Sequence, residues 1–335
     1  MSKAEAGKQY FVGIDVSARE LVVALSDGER VQMETVSNQA EGHRQLEARL
    51  RQLRAPVKIC REASGTYSLD VALALARAGG HLPVSLVNPR WARRFAESRG
   101  QRSKTDPVDA RALAQYAARM PLLPWQPPSA AALRLRSISR TISALVRMGT
   151  QHKNRQHALS VSAALPALLV RELEAQAAYT EKRIAKLRRE ARRLIQRDGQ
   201  LLRHWQHLLS IPGVGEASGL AILAELAVLP AVLDARPWVA HSGLVPKHHQ
   251  SGTAVEQKAR ISKAGNRYLR AALYMPALVA IQHEPWLRSF YLRRVGRGKP
   301  KLQALVAVLR KLLPATWGMF QHDQPYDGAK LCPQL

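Results

Sequence analysis

The sequence predicts an α/β unit followed by helical ones, and three observations carry that expectation. Short β-rich runs crowd the first part of the chain, the proline-rich stretch MPLLPWQPPS (Met120 to Ser129) interrupts it, and no glycine occurs between Gly149 and Gly199. Residues 8–126, 127–208 and 209–325 therefore read as three units: an α/β domain, a helical coiled-coil region and a mainly helical C-terminal domain.

In the first unit YFVGIDV, ELVVALSDG and RVQMETVS are closely spaced strand candidates, with Asp27-Gly28 a turn between the last two. A meander follows from that spacing. Glu41 to Leu53 reads as a helix, PVKICREA as a fourth strand, Leu69 to Ala78 as a helix and LPVSLVNP as a fifth strand. The order βββαβαβα suggests a ribonuclease H-like mixed sheet, without being unique to it. From Ala130 to about Leu209 the pattern is helical, and Pro166 should kink or divide it. There Ile184, Leu187, Leu194 and Ile195 recur at helical spacing among many Arg and Lys, which favours a solvated coiled-coil face over direct nucleic-acid contact. The third unit opens on IPGVGEASGLAILAEL, where Gly213 and Gly215 precede an apolar helix. Such a turn can aim backbone N–H groups at a phosphate, as in helix-hairpin-helix modules, and an ordinary loop into a buried helix explains it equally well.

Composition points to the partner. The 335 residues include 51 Lys and Arg against 25 Asp and Glu, a formal charge of +26. The charge is spread through apparently folded segments, so a nucleic acid explains it better than a membrane surface or a ribosomal-type tail. Cys60 and Cys332 fit neither a zinc spacing nor a disulfide framework, which predicts a reducing compartment. No signal-peptide core or membrane-spanning run is present, so the expectation is a soluble cytoplasmic, nucleoid-associated protein.

Against this basic background stand four acids: Asp15 in FVGIDVS, Glu62 in KICREASGTY, and Asp106 and Asp109 in SKTDPVDAR. Magnesium requires hard oxygen ligands converging from different parts of a fold, and paired ions can stabilise both oxygens of an in-line phosphodiester displacement. Each acid also has a structural reading. Pro107 at the first helical position would make Asp106 an N-cap and Asp109 its N3 partner. Asp15 could end a strand, and Glu62 could pair with Arg61. Four together at strand ends and a helix start favour a site.

Ser251 precedes Gly252 in a polar loop, where a hydroxyl could approach a phosphate, although Ser-Gly is commonly just a turn. Arg260, Lys263, Arg267 and Arg270 recur every three or four residues, so a helix there would present a cationic ridge to phosphates. Tyr268 and Tyr274 read as packing residues.

Taken in order, GIDVS, EASGTY, LVNPRWARRFAESRGQRSKTDPVDARALAQYA, IPGVGEASGLAILAEL, GLVPKHHQSG and RISKAGNRYLRAALY resemble the DEDD-type insertion-sequence transposases. That family includes pilin-gene-inverting and bridge-RNA-guided recombinases. The resemblance implies a RuvC-like domain, a coiled-coil insertion and a C-terminal transposase domain. It implies that Asp15, Glu62, Asp106 and Asp109 hold Mg²⁺, and that Ser251 is the nucleophile joined to a DNA phosphate. Lys104, Gly213, Gly215, Arg260, Lys263, Arg267 and Arg270 are the expected nucleic-acid contacts. The implied partners are donor and target duplexes, a noncoding guide RNA, and further copies of the chain in a dimer or tetramer with composite sites; no membrane is implied. Ser242 departs from the family pattern, where a small residue such as Ala is expected. Two competing readings are a metal-dependent nuclease that uses water, and a non-catalytic nucleic-acid scaffold.

Overall fold

The computed structural model describes residues 8–63, 67–79, 82–101, 105–161, 167–230, 232–251 and 255–331. The chain divides into two compact units, Met1–Pro127 and Pro128–Leu335.

The N-terminal unit begins with the meander β1 (Tyr10–Val16), β2 (Glu20–Ser26) and β3 (Val31–Ser37). At the β2–β3 turn Gly28 has φ 101°, and Asp27 Oδ1 accepts from the backbone N–H groups of Glu29 and Arg30. Glycine supplies the left-handed conformation and Asp closes the turn. Helix α1 (Ala40–Gln52), β4 (Val57–Glu62), α2 (Leu69–Arg77), β5 (Val84–Val87), α3 (Pro89–Ser98) and α4 (Asp106–Arg119) follow. The sheet order is β3-β2-β1-β4-β5, with β1 antiparallel to β2 and parallel to β4.

Alternation along the strands assigns the two faces. Val12, Ile14, Val57 and Ile59 are at most 3% exposed and pack with Leu46, Leu50, Val71 and Leu75 of α1 and α2. Each such buried aliphatic side chain contributes about 1.5–3 kcal/mol. On the other face Phe11 and Cys60 pack with Leu113, Tyr116 and Ala117 of α4. A Cβ at Gly13 would strike the α4 backbone at Ala110 and Ala114, so only glycine lets this helix lie so close to β1.

The C-terminal unit contains α5 (Ala130–Ser160), α6 (Ala167–Arg197), α7 (Gly199–Ser210), α8 (Glu216–Leu226) and α9 (Ala235–Ser242). A hairpin of β6 (Pro246–Ser251) and β7 (Val255–Ile261) precedes α10 (Arg267–His283), α11 (Pro285–Gly296) and α12 (Lys301–His322). The long helices α5 and α6 pack together, with Ile195 fully buried and Ile184 and Leu187 against the same core as α8, α10 and α12. Pro166 lies outside the described residues. No described helix is long and apolar enough to cross a membrane.

Candidate active site

The acids of the N-terminal unit emerge at one end of its sheet. Phe11 packs against the cluster that holds Leu113, Tyr116 and Ala117, whereas a Cβ at Gly13 would meet Ala110, Leu113 and Ala114; α4 therefore descends as β1 ascends. Two residues beyond Gly13, Asp15 shares its face and points toward the N-terminal turn of α4. Glu62 is two residues beyond Cys60 on the same face, and the β1–β4 register, Ile14 opposite Arg61, places it one step from Asp15 across the ladder. Asp106 and Asp109 occupy the first turn of α4, where the helix dipole favours negative charge. Asp15, Glu62 and Asp109 are half-buried and Asp106 is exposed.

The expected capping arrangement differs in detail. Thr105 is the N-cap, without a side-chain capping bond, and Asp106 is the first helical residue, with Pro107 behind it. The helix starts one residue before the position that Pro107 suggested. Among the described residues no three His, Cys, Asp or Glu side chains draw in far enough to hold a metal ion. The backbone thus brings the four acids to one rim, while their side chains do not close into a ligand cage. Chemically the set still suits a hard cation, since every donor is a carboxylate oxygen.

Beside this rim the Cys60 thiol is pushed up to about 12 by burial and by the charge of Glu62. Its nucleophilic thiolate is therefore suppressed. Arg61, on the opposite face, is 2% exposed and is brought down to about 10 by burial. Its Nη2 donates to the Glu62 carbonyl at 3.2 Å, whereas Nε and Nη1 have no partner among the described residues.

In the C-terminal unit Ser251 is the last residue of β6, opposite Val255, and not part of an irregular loop. The register shift between Lys247 and His249 marks a bulge in that strand. Gly252 and Lys104 lie outside the described residues. The expected cationic helix is also corrected: Arg260 is on β7, Lys263 is in the connection with φ 51°, and only Arg267 and Arg270 belong to α10. Asn266 caps α10 by accepting from the N–H groups of Tyr268 and Leu269, so the helix cannot begin earlier. Arg270 Nη1 donates to the Ser242 carbonyl at 2.7 Å and has a structural task. Gly213, φ 94°, sits 2.7 Å in Cβ terms from the Pro276 carbonyl, so helix packing demands it; Gly215 is the N-cap of α8 and faces open space.

The base of the hairpin rests on a network that the sequence reading did not single out. Glu225 on α8 is 1% exposed and accepts from Arg140 Nε and Nη2, both at 2.8 Å, and from Asn266 Nδ2 at 2.6 Å. Burial opposes its charge, but the bonds from Arg140 and Asn266 outweigh that and hold the carboxyl below its ordinary range. Asn266 N–H donates to the His241 carbonyl, and burial favours the neutral imidazole of His241. Tyr268 lies under the guanidinium groups of Arg140 and Arg267 at 4.7 and 5.0 Å. A lone Glu within AILAEL was the available signal, because a carboxylate inside an apolar helix needs partners.

Comparison with known proteins matches two segments of the chain, the first of which runs past the boundary between the two units into α5. Residues 12–162 match a DEDD transposase model, and residues 205–292 match the model described as "Transposase IS116/IS110/IS902 family". The pilin gene-inverting protein of Moraxella bovis is 30% identical over 79% of this chain and 80% of its own length. A probable family 20 transposase of Pseudomonas aeruginosa is 27% identical over 74% of this chain and 79% of its own. With both halves matched in order, the chain belongs to the IS116/IS110/IS902 family of transposases.

Proposed function

We propose that this protein is a DNA transposase or site-specific recombinase that cuts and rejoins strands through a phosphoserine intermediate. The observation that carries the reading is the gathering of Asp15, Glu62 and the first turn of α4 at one end of the sheet. A RuvC-like, ribonuclease H-type fold is supported by the order β3-β2-β1-β4-β5 with β2 reversed. Asp15, Glu62, Asp106 and Asp109 would hold Mg²⁺, which supplies charge neutralisation at a scissile phosphate.

Ser251 Oγ attacks phosphorus, forming the serine ester as the bridging P–O bond breaks, and the departing DNA oxygen takes up a proton. Attack by a hydroxyl of the other strand then reverses the step and frees Ser251. Bond types are conserved, so no external energy source enters. Arg260, Lys263 and Arg267 are assigned to phosphate contacts, and so is Lys104. The charge of +26 is in keeping with an additional RNA partner, base pairing then carrying target choice while the protein reads backbone. The working form is assigned as a dimer or tetramer.

The test is to trap the protein on its own insertion-element DNA with Mg²⁺ under denaturing conditions. A covalent adduct lost in Ser251→Ala is expected. Undiminished cleavage by that variant would instead establish a water-using nuclease, and no Mg²⁺-dependent strand breakage at all would leave a scaffold.

A further inference from the structure

Two residues with exposed aromatic rings are anchored by their backbones near the strand ends that carry Asp15 and Glu62. Tyr67 and Trp91 are each 62% exposed. Tyr67 is pinned beside the end of β1, because Asn38 Nδ2 donates both to the Tyr67 carbonyl at 3.2 Å and to the Ser17 carbonyl at 2.8 Å. Trp91 is placed near Glu62. Val87 pairs with Glu62, Asn88 caps α3, and Trp91 N–H donates to the Asn88 carbonyl at 2.8 Å. The inward face of α3 is taken by Ala92 and by Phe95, whose ring meets Tyr116 at 5.0 Å, so Trp91 turns outward.

Exposed cations stand on the same short stretches of backbone. Arg19, whose carbonyl accepts from Asn38 N–H, is near Tyr67, while Arg90 and Arg94 flank Trp91. Among the described residues no carboxylate pairs with these three; Glu97, the acid of α3, is bonded to Arg93 at 2.9 Å. Isolated exposed aromatics need no explanation. Two of them near one rim, with unpaired guanidinium groups on the same stretches, match the composition of a single-strand binding surface, in which rings take bases and cations take phosphates.

We infer that Tyr67 and Trp91 are base-stacking platforms for unpaired nucleotides flanking the phosphodiester at the acidic rim. This rests on the proposed reading of that rim as the place where DNA is cut. The ligand class is single-stranded nucleic acid with its bases unstacked, since bases inside a duplex have no free face to offer a ring. Arg19, Arg90 and Arg94 would hold the adjoining phosphates.

The test uses the full-length protein without divalent metal, so that no chemistry is needed and a failed serine adduct does not affect the outcome. The probe is a short oligothymidylate bearing a single 2-aminopurine, whose fluorescence falls on stacking. Wild type should quench it; Trp91→Ala should weaken binding by about tenfold and relieve the quenching, Tyr67→Ala likewise, and Trp91→Phe and Tyr67→Phe should retain most of both. Because no charge changes, the salt dependence of binding should keep its slope, whereas Arg94→Ala should reduce it by about one counterion. Unaltered melting temperatures would show that the alanine variants fold. Wild-type affinity and quenching in both alanine variants would overturn the inference. So would a loss of oligomeric mass in those variants with quenching intact, since the rings would then be protein contacts.

Discussion

Glu225 in the C-terminal unit is 1% exposed and bonded to Arg140 and Asn266, whereas Asp106 in the N-terminal unit stands exposed on the first turn of α4 with Asp109 three residues on. A buried charge persists only when its partners replace water, and Glu225 has three hydrogen bonds that do so. The rim acids instead lie at the ends of β1 and β4 and at the start of α4, where water reaches them. One carboxylate holds the fold together; the others are positioned at its edge. The contrast is one of burial: a carboxylate shut away from water as against acids at the ends of strands and at the start of a helix.

That contrast is open to direct attack by substitution. The largest effect is expected at the rim: Asp15→Asn or Glu62→Gln should reduce strand exchange by on the order of a thousandfold, the scale on which loss of a catalytic group registers. Melting temperature should change far less than activity, because each substitution keeps the shape of a half-buried side chain. A variant that loses stability in step with activity would move Asp15 into the class of Glu225. Glu225→Ala should behave in the opposite way, costing roughly 2–3 kcal/mol in denaturant unfolding. That is below the ~3–5 kcal/mol of a fully buried pair, because Arg140 retains 40% exposure and can return to water.

Much of this arrangement was legible from the residues. YFVGIDV and VKICRE were legible as strands carrying Asp15 and Glu62, whereas the face those acids share is set by the packing of α4 against Phe11 and Cys60. The glycine of the FVGIDV run was legible only as part of a motif, since the need for it comes from the α4 backbone about a hundred residues later. The cationic ridge over Arg260 to Arg270 failed for a related reason. Its spacing of three and four was helical, but Asn266 could cap a helix starting at Arg267, and that local signal outranked the charge pattern. Glu225 was hidden because its partners, Arg140 and Asn266, are 85 and 41 residues away in sequence.

Gly213 sharpens the comparison at an intermediate scale. Its φ of 94° and its approach to the Pro276 carbonyl predict that Gly213→Ala costs about 1–3 kcal/mol through backbone strain and overpacking against α10. If the turn served only to bind phosphate, melting temperature would be unchanged and nucleic-acid affinity alone would fall. Gly215→Ala has open space around it and should cost only about 0.5–1 kcal/mol, since alanine is a poorer N-cap than glycine but meets no clash there.

The last effect concerns protons. His204 stacks on Phe320 with centroids 3.8 Å apart and is held down to about 4, first by burial and then by His207 and Arg203, with Asp323 and Asp198 opposing. The unfolded chain takes up this proton near 6.5, so between 6.5 and about 4 it binds more protons than the folded chain does. Stability contributed by neutral His204 is therefore complete above pH 6.5 and is lost as the pH falls toward 4. Melting curves across that range should shift downward in wild type and shift less in His204→Phe, which keeps a ring against Phe320 without a titrating nitrogen. An equal decline in both would assign the acid sensitivity to other groups, with Asp323 and its bond to His207 at 2.8 Å the next to substitute.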